Sequence, residues 1–198
     1  MELSPSMVVE VASNSSAGFF IRFASRLIDT LLGVLVFYVG SMAGNLAVSI
    51  LAGLGHAPAE WRATLQLLSP LGVGLLLVGG VLYQVTAETV GGASLGKLLL
   101  GLRVTSENLT PCLFKGALIR NTAYFLDALP LGVPAYRAMA HSVLNQRYGD
   151  QWGRTVVMRT QAVPPDSRQG KALLALGILS GTAAWAILVA LCFVMTVR

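Results

Sequence analysis

The sequence predicts an all-α polytopic membrane protein: three transmembrane helices, a further Pro-broken segment that either re-enters or crosses, and a small cytoplasmic β element. Three observations carry that reading. Of 198 residues, 55% are hydrophobic and only 12% are charged, and mean hydropathy is +0.69, whereas a soluble domain carries about a quarter charged residues. Positions 30–59, 63–87 and 172–197 contain no Asp, Glu, Lys or Arg, and each gap exceeds the roughly 20 residues a helix needs to cross hydrocarbon. Finally, the 75 residues from Lys97 to Lys171 hold ten basic and four acidic side chains, a net +6 against +5 for the whole chain. By the positive-inside rule that stretch is cytoplasmic.

In chain order, residues 1–17 form an N-terminal cytoplasmic segment in which Met7–Val11 reads as a short strand. A membrane domain over 18–160 follows, with spans at 28–52 and 65–87. The first is no cleavable signal peptide, because its apolar run is too long and Asp29 lies at its start. The connection His56–Arg62, with one Glu and one Arg, is the expected external turn, so the N-terminus starts inside. Leu100–Thr105 and Thr155–Arg159 read as strands that would pair, together with 7–11, in a small cytoplasmic sheet. Residues 161–171 form a basic linker, and 172–197 contain a further C-terminal span near 173–196.

The segment 116–142 is apolar yet carries Arg120, Asp127, Arg137 and His141, with Pro130 and Pro134 at its centre. A single crossing would put the basic 147–171 stretch outside. The rule therefore favours two short helices broken at the prolines, entering and leaving on the cytoplasmic side; the alternative is a kinked fourth span.

Charged residues at membrane depth are few. Arg22 and Asp29 are seven positions apart, roughly 20° short of two helical turns, so they share a face, with Arg26 and Ser25 nearby. One reading has the arginines snorkelling and Asp29 at headgroup level; the other is an inward ion pair or proton-binding carboxylate, since an unpaired charge at that depth is costly. Arg120 and Asp127 repeat the spacing. After Ile21-Arg22 and Ile119-Arg120, matches continue as Leu31 with Leu129 and Leu32-Gly-Val with Leu131-Gly-Val. Internal symmetry of this kind occurs in transporters with duplicated halves, and short matches in leucine-rich sequence also arise by chance. Either way, two Arg/Asp stripes need polar surfaces to meet, and each other is the economical choice. Asp150 follows a Gly turn; it either caps that turn or reaches an arginine at the cytoplasmic end of the first helix.

Gly91–Leu98 contains GxxxxGK but has Leu98 where a phosphate-binding loop places Ser or Thr, and it follows a span rather than a strand. A tight exit turn is the better reading, with Lys97 and Arg103 anchoring at lipid headgroups. Gly40-xxx-Gly44 and Gly177-xxx-Gly181 predict close helix packing. Cys112 and Cys192 lack CxxC spacing, and no metal, nucleophile or cofactor pattern is present. With no such residue set, no enzymatic activity or cofactor is expected, and a nucleic-acid partner is disfavoured because the basic residues lie beside membrane segments.

Together these motifs resemble the RDD family of membrane proteins. Its arginine and aspartate of the first helix are similar to Arg22 and Asp29, its glycine-rich exit motif to Gly96-Lys97 and Gly101–Val104, and its third-segment Arg, Asp and Pro to Arg120, Asp127 and Pro130. Its closing pattern resembles Arg147, Gly149, Asp150, Thr155 and Val157, and Ser4-Pro5 with Val8–Val11 is similar to the N-terminal strand of one branch. The match covers 4–159; Arg154, where small residues are usual, and the added span 173–196 depart from it. The resemblance implies ligand transport, with some members associated with sodium/proton exchange and a eukaryotic relative serving as an assembly factor. The expected function is transport of a small cation or proton through Arg22, Asp29, Arg120, Asp127, Asp150 and Arg26 in a bacterial inner membrane, by a homo-oligomer or within a membrane complex. The alternative is a non-catalytic scaffold that binds a protein partner or anionic lipid.

Overall fold

The computed structural model describes residues 5–56, 70–129 and 132–197. Ser4, most of the 56–62 turn, the first residues of the 65–87 span, Pro130 and Leu131 lie outside the described residues. Helix α1 (Pro5–Ser15) is followed by α2 (Phe19–Gly53), α3 (Pro70–Gly91), α4 (Leu95–Leu99), β1 (Leu102–Ser106), α5 (Phe114–Thr122), α6 (Tyr124–Asp127), α7 (Val133–Ala140), α8 (Tyr148–Trp152), β2 (Thr155–Arg159) and α9 (Lys171–Val197).

Among the described residues, two helical stretches, Gly72–Gly91 and Lys171–Leu188, are long and apolar enough to cross a membrane. They pack on each other through small residues. A Cβ at Gly177 would lie 2.9 Å from the Gly91 amide nitrogen, and one at Gly181 would lie 2.9 Å from the Tyr83 carbonyl oxygen. Small residues at these positions let the two backbones approach closely. Gly40 differs, with open space where its Cβ would stand. Trp185 of α9 packs with Phe37 and Leu75, and its indole donates to the Leu75 carbonyl at 3.1 Å. This cluster ties α2, α3 and α9 together. Helix α2 is 35 residues long, about 52 Å, which exceeds the ~30 Å of hydrocarbon. Leu31, Leu35, Val39 and Leu46 point outward along it, an apolar face far larger than soluble proteins leave bare.

The strand-like runs pair antiparallel, Leu102 opposite Arg159 and Ser106 opposite Thr155. A two-stranded sheet is marginal alone. Here Val104 and Val157 are covered by Ala17, Val85 and Ala117, while Val156 and Met158 are covered by Ala12 and Leu109. The expected third strand at 7–11 is instead part of α1. The helical turn carries Ala12 and Val11 onto the sheet and leaves Val9 exposed, so packing of the helix's later residues overrides local β propensity. The strand-like contact falls just beyond it, where Ser16 bridges Met158 and the Ala17 amide donates to Val157 at 2.8 Å. Arg154, before β2, adopts φ +49°, a left-handed conformation that explains why a small residue suits this position.

Segment 116–142 consists of short helices. Nine residues in α5 and eight in α7 reach only ~14 and ~12 Å, too short to cross. The chain already breaks at Ala123, ahead of the prolines, and Gly132 (φ +81°) turns it into α7 with Pro134 in the first turn, where a missing N–H costs nothing.

Candidate functional site

Where α2, α3, α4, α5 and α8 converge, charged and polar side chains form one buried network. Asp150, with 0% exposure, sits at its centre. Its carboxylate accepts Arg22 Nη1 at 2.6 Å and forms an ion pair with Arg120 Nη2 at 3.2 Å; Arg147 approaches at 3.5 Å. Its Oδ2 also accepts the Arg147 amide at 3.2 Å, which caps the short α8. Asp150 thus combines both roles open in the sequence. Burial works against its ionisation, but Arg120, Arg147 and Arg22 outweigh that and hold the carboxyl well below the ordinary carboxylate range.

Glu88, in the last turn of α3, is the second hub. It forms ion pairs with Lys97 at 2.8 Å and Arg120 at 3.5 Å, and it accepts Asn121 Nδ2 at 2.8 Å. Lys97 Nζ also donates to Gln84 Oε1 at 2.9 Å and to Ser94 Oγ at 3.3 Å. Burial pulls the Lys97 ammonium below its usual pKa, against the opposite pull of Glu88 and Asp29. Gln84 and Ser94 in turn donate to Asp29 Oδ2 at 2.7 and 2.6 Å, and the Gly96 amide donates to Oδ1 at 2.7 Å. A continuous path therefore runs Asp29–Gln84–Lys97–Glu88–Arg120–Asp150–Arg22.

Each expected pair is corrected by this geometry. Arg22 bonds Asp150 and the carbonyls of Ala17 and Val157, not Asp29; seven residues separate the two by ~10 Å along the helix axis, and other elements bring nearer partners. Arg120 pairs with Glu88 and Asp150, not Asp127, because the helix breaks between them. Asp127 instead accepts the Gly149 amide at 3.2 Å. The two stripes do meet: Arg26 donates to Asn121 at 3.2 Å, and Arg22 and Arg120 share Asp150. Lys97 and Arg103 are not free headgroup anchors. Lys97 turns inward because the buried Glu88 carboxylate needs a cation, and Arg103, 8% exposed, donates to Gly91 O at 3.4 Å and Gln169 at 3.1 Å.

The sequence reading missed Glu88, Gln84, Ser94 and Asn121, and it named Arg147 in the closing motif without placing it in the site. Gln84 and Glu88 are four apart at the end of an otherwise apolar helix, a shared-face spacing that would have singled them out. Arg22, Asp29, Lys97, Arg120, Asp127 and Asp150, scattered over 129 positions of sequence, all belong to this one cluster or its border. A family model described as RDD family matches residues 16–197. The chain belongs to the RDD family. This RDD-family membrane protein carries the match through α9, so the last helix is part of the family domain and not an addition to it. No curated protein and no solved structure matches.

Burying ions costs several kcal/mol each unless they are paired. In this RDD-family protein, Arg22, Arg120, Lys97, Glu88 and Asp150 meet that condition only when five elements are docked together, which makes the network a register device. Among the described residues, no group of three or more His, Cys, Asp or Glu is arranged as a metal site.

Proposed function

We propose that the protein is a multi-pass cytoplasmic-membrane transporter of a small cation or proton, with α2, α3 and α9 crossing the bilayer, the N-terminus and the 92–170 module inside, and Asp29 as the exchanging carboxylate. One observation carries this choice: Glu88 and Asp150 are committed to cations, whereas Asp29, among the described residues, accepts only neutral donors and borders two cavities of about 130 and 120 Å³ beside α3 and α9. A carboxylate without a fixed counter-cation is able to take a proton or a metal cation from solution; Asp127 shares that property but faces a separate cleft lined by three arginines. Protonation adds an O–H that needs an acceptor, and Ser94 Oγ, 2.6 Å from Asp29 Oδ2, has a lone pair to offer. Lys97 donates to that same Oγ and to Gln84 Oε1, so the state of Asp29 is coupled to the Lys97–Glu88 pair. The reading involves no chemical transformation.

The second reading, a non-catalytic membrane subunit, is favoured by the sharing of Asp150 among three arginines, which is a structural arrangement. Proteoliposomes separate the two. Asp29→Asn is expected to abolish pH-driven cation flux while the protein remains monodisperse with an unfolding midpoint near that of the wild type. Undiminished flux would remove Asp29 from the mechanism, whereas absence of flux from the wild-type protein would leave the scaffold reading.

A further inference from the structure

A separate cleft of about 480 Å³ lies between the N-terminal end of α2 and the α6–α7 bend, in the size range of small-molecule sites. We propose that it binds a phospholipid of the surrounding leaflet whose phosphate ester carries an N–H or O–H donor, the ethanolamine or glycerol headgroup chemistry. The proposal does not depend on the transport role of Asp29.

The cleft is cationic at one end. Arg22, Arg26 and Arg147 line it against a single carboxylate, Asp127. Each nitrogen of the Arg22 guanidinium meets a protein acceptor, but among the described residues Arg26 donates only to Asn121 and the Arg147 side chain touches Asp150 only at 3.5 Å. The Arg26 and Arg147 guanidiniums lie 4.2 and 5.7 Å from the centroid of the same Tyr124 ring. Two cations converging on one ring repel each other, and a phosphate between them relieves that repulsion through charge-assisted hydrogen bonds, the guanidinium's preferred contact. Asp127 supplies the second element of recognition. It is 1% exposed, one oxygen accepts the Gly149 amide, and Oδ1 has no hydrogen-bond partner among the described residues. A buried carboxylate oxygen left unsatisfied is costly, and an ammonium or hydroxyl hydrogen next to the phosphate satisfies it. A choline headgroup has no such hydrogen.

The other end is apolar. Phe19, Phe23 and Met139 wall it, and the outward Phe23 is continued along α2 at four-residue spacing by exposed Leu27 and Leu31, a track for acyl chains. The arginines lie at the cytoplasmic end of α2, the level of lipid phosphates under the topology above. Charge, unmet acceptor and apolar track together fit an amphiphile and not a free anion.

The test uses delipidated full-length protein in a non-ionic detergent and native mass spectrometry with phosphatidylethanolamine, phosphatidylglycerol, phosphatidylcholine and soluble glycerophosphoethanolamine. The first two should saturate at one equivalent, with phosphatidylcholine at least about fivefold weaker. Arg26→Gln with Arg147→Gln should weaken phosphatidylethanolamine about tenfold, the loss expected for roughly one charge-assisted contact. Asp127→Ala should erase the preference over phosphatidylcholine. Equal binding of the three lipids, or unchanged binding in the double arginine variant, overturns the proposal; soluble headgroup binding as tightly as lipid overturns it in favour of a soluble phosphoester. Should the arginine variant fail to fold, Ala128→Phe fills the cleft without altering charge: loss of the one-equivalent adduct supports the site, and its retention overturns it.

Discussion

Asp150→Asn keeps the size of the side chain and removes the charge on which three arginines converge. Arg22 and Arg120 are 6% and 1% exposed, so water cannot replace the carboxylate. Removing one member of a buried ion pair costs about 3–5 kcal/mol, most of it from the cation left behind. Arg22 bears most of this loss, because its 2.6 Å contact is its only ion pair among the described residues, whereas Arg120 keeps Glu88 at 3.5 Å. For a chain of this length the cost corresponds to a fall of roughly 6–20 °C in Tm, measured by thermal unfolding in detergent micelles. A shift below about 2 °C would refute the idea that the network holds the elements in register. The pH dependence follows from the same group. Because the folded carboxyl titrates below its ordinary range, its stabilisation is complete above the unfolded value near pH ~4 and is lost as pH falls toward the folded value. The difference between wild type and Asp150→Asn should therefore be constant from pH 5 to 8 and should shrink below pH ~4.

A Cβ at Gly96 would run into the Ser25 carbonyl oxygen and the Asp29 carboxyl; Gly96→Ala should cost about 1–3 kcal/mol by overpacking, whereas Gly74→Ala, with open space around it, should be neutral in the same unfolding assay. Cys112 is buried, and that burial pushes its thiol up to about 12. In a Cys192→Ser background, maleimide at pH 8 should label Cys112 only after denaturation, and rapid labelling of folded protein would contradict this packing.

The legible part of this protein is the part encoded by neighbouring residues. Hydropathy runs mark α3 and α9 and the apolar length of α2, and short β-branched runs mark β1 and β2. Scarce charges at membrane depth pick out Arg22, Asp29, Arg120, Asp127 and Asp150. Local pattern failed where the decisive partner is distant. Met7–Val11 has strand propensity, but it lies in a helix whose last turns set Val11 and Ala12 against Val156 and Met158. Lys97 has the position of a headgroup anchor, but Glu88, nine residues earlier on a different helix, draws it inward. The i, i+7 spacing of Arg22 and Asp29 defines a shared face and says nothing of what meets that face. Arg22 and Asp150 are 128 positions apart, and ionic partners at that separation are chosen by how helices dock and by the cost of leaving any buried charge alone. Sequence by itself determined which charges had to be satisfied; only the tertiary structure decided which of them satisfy one another, and left Asp29 without a cation of its own.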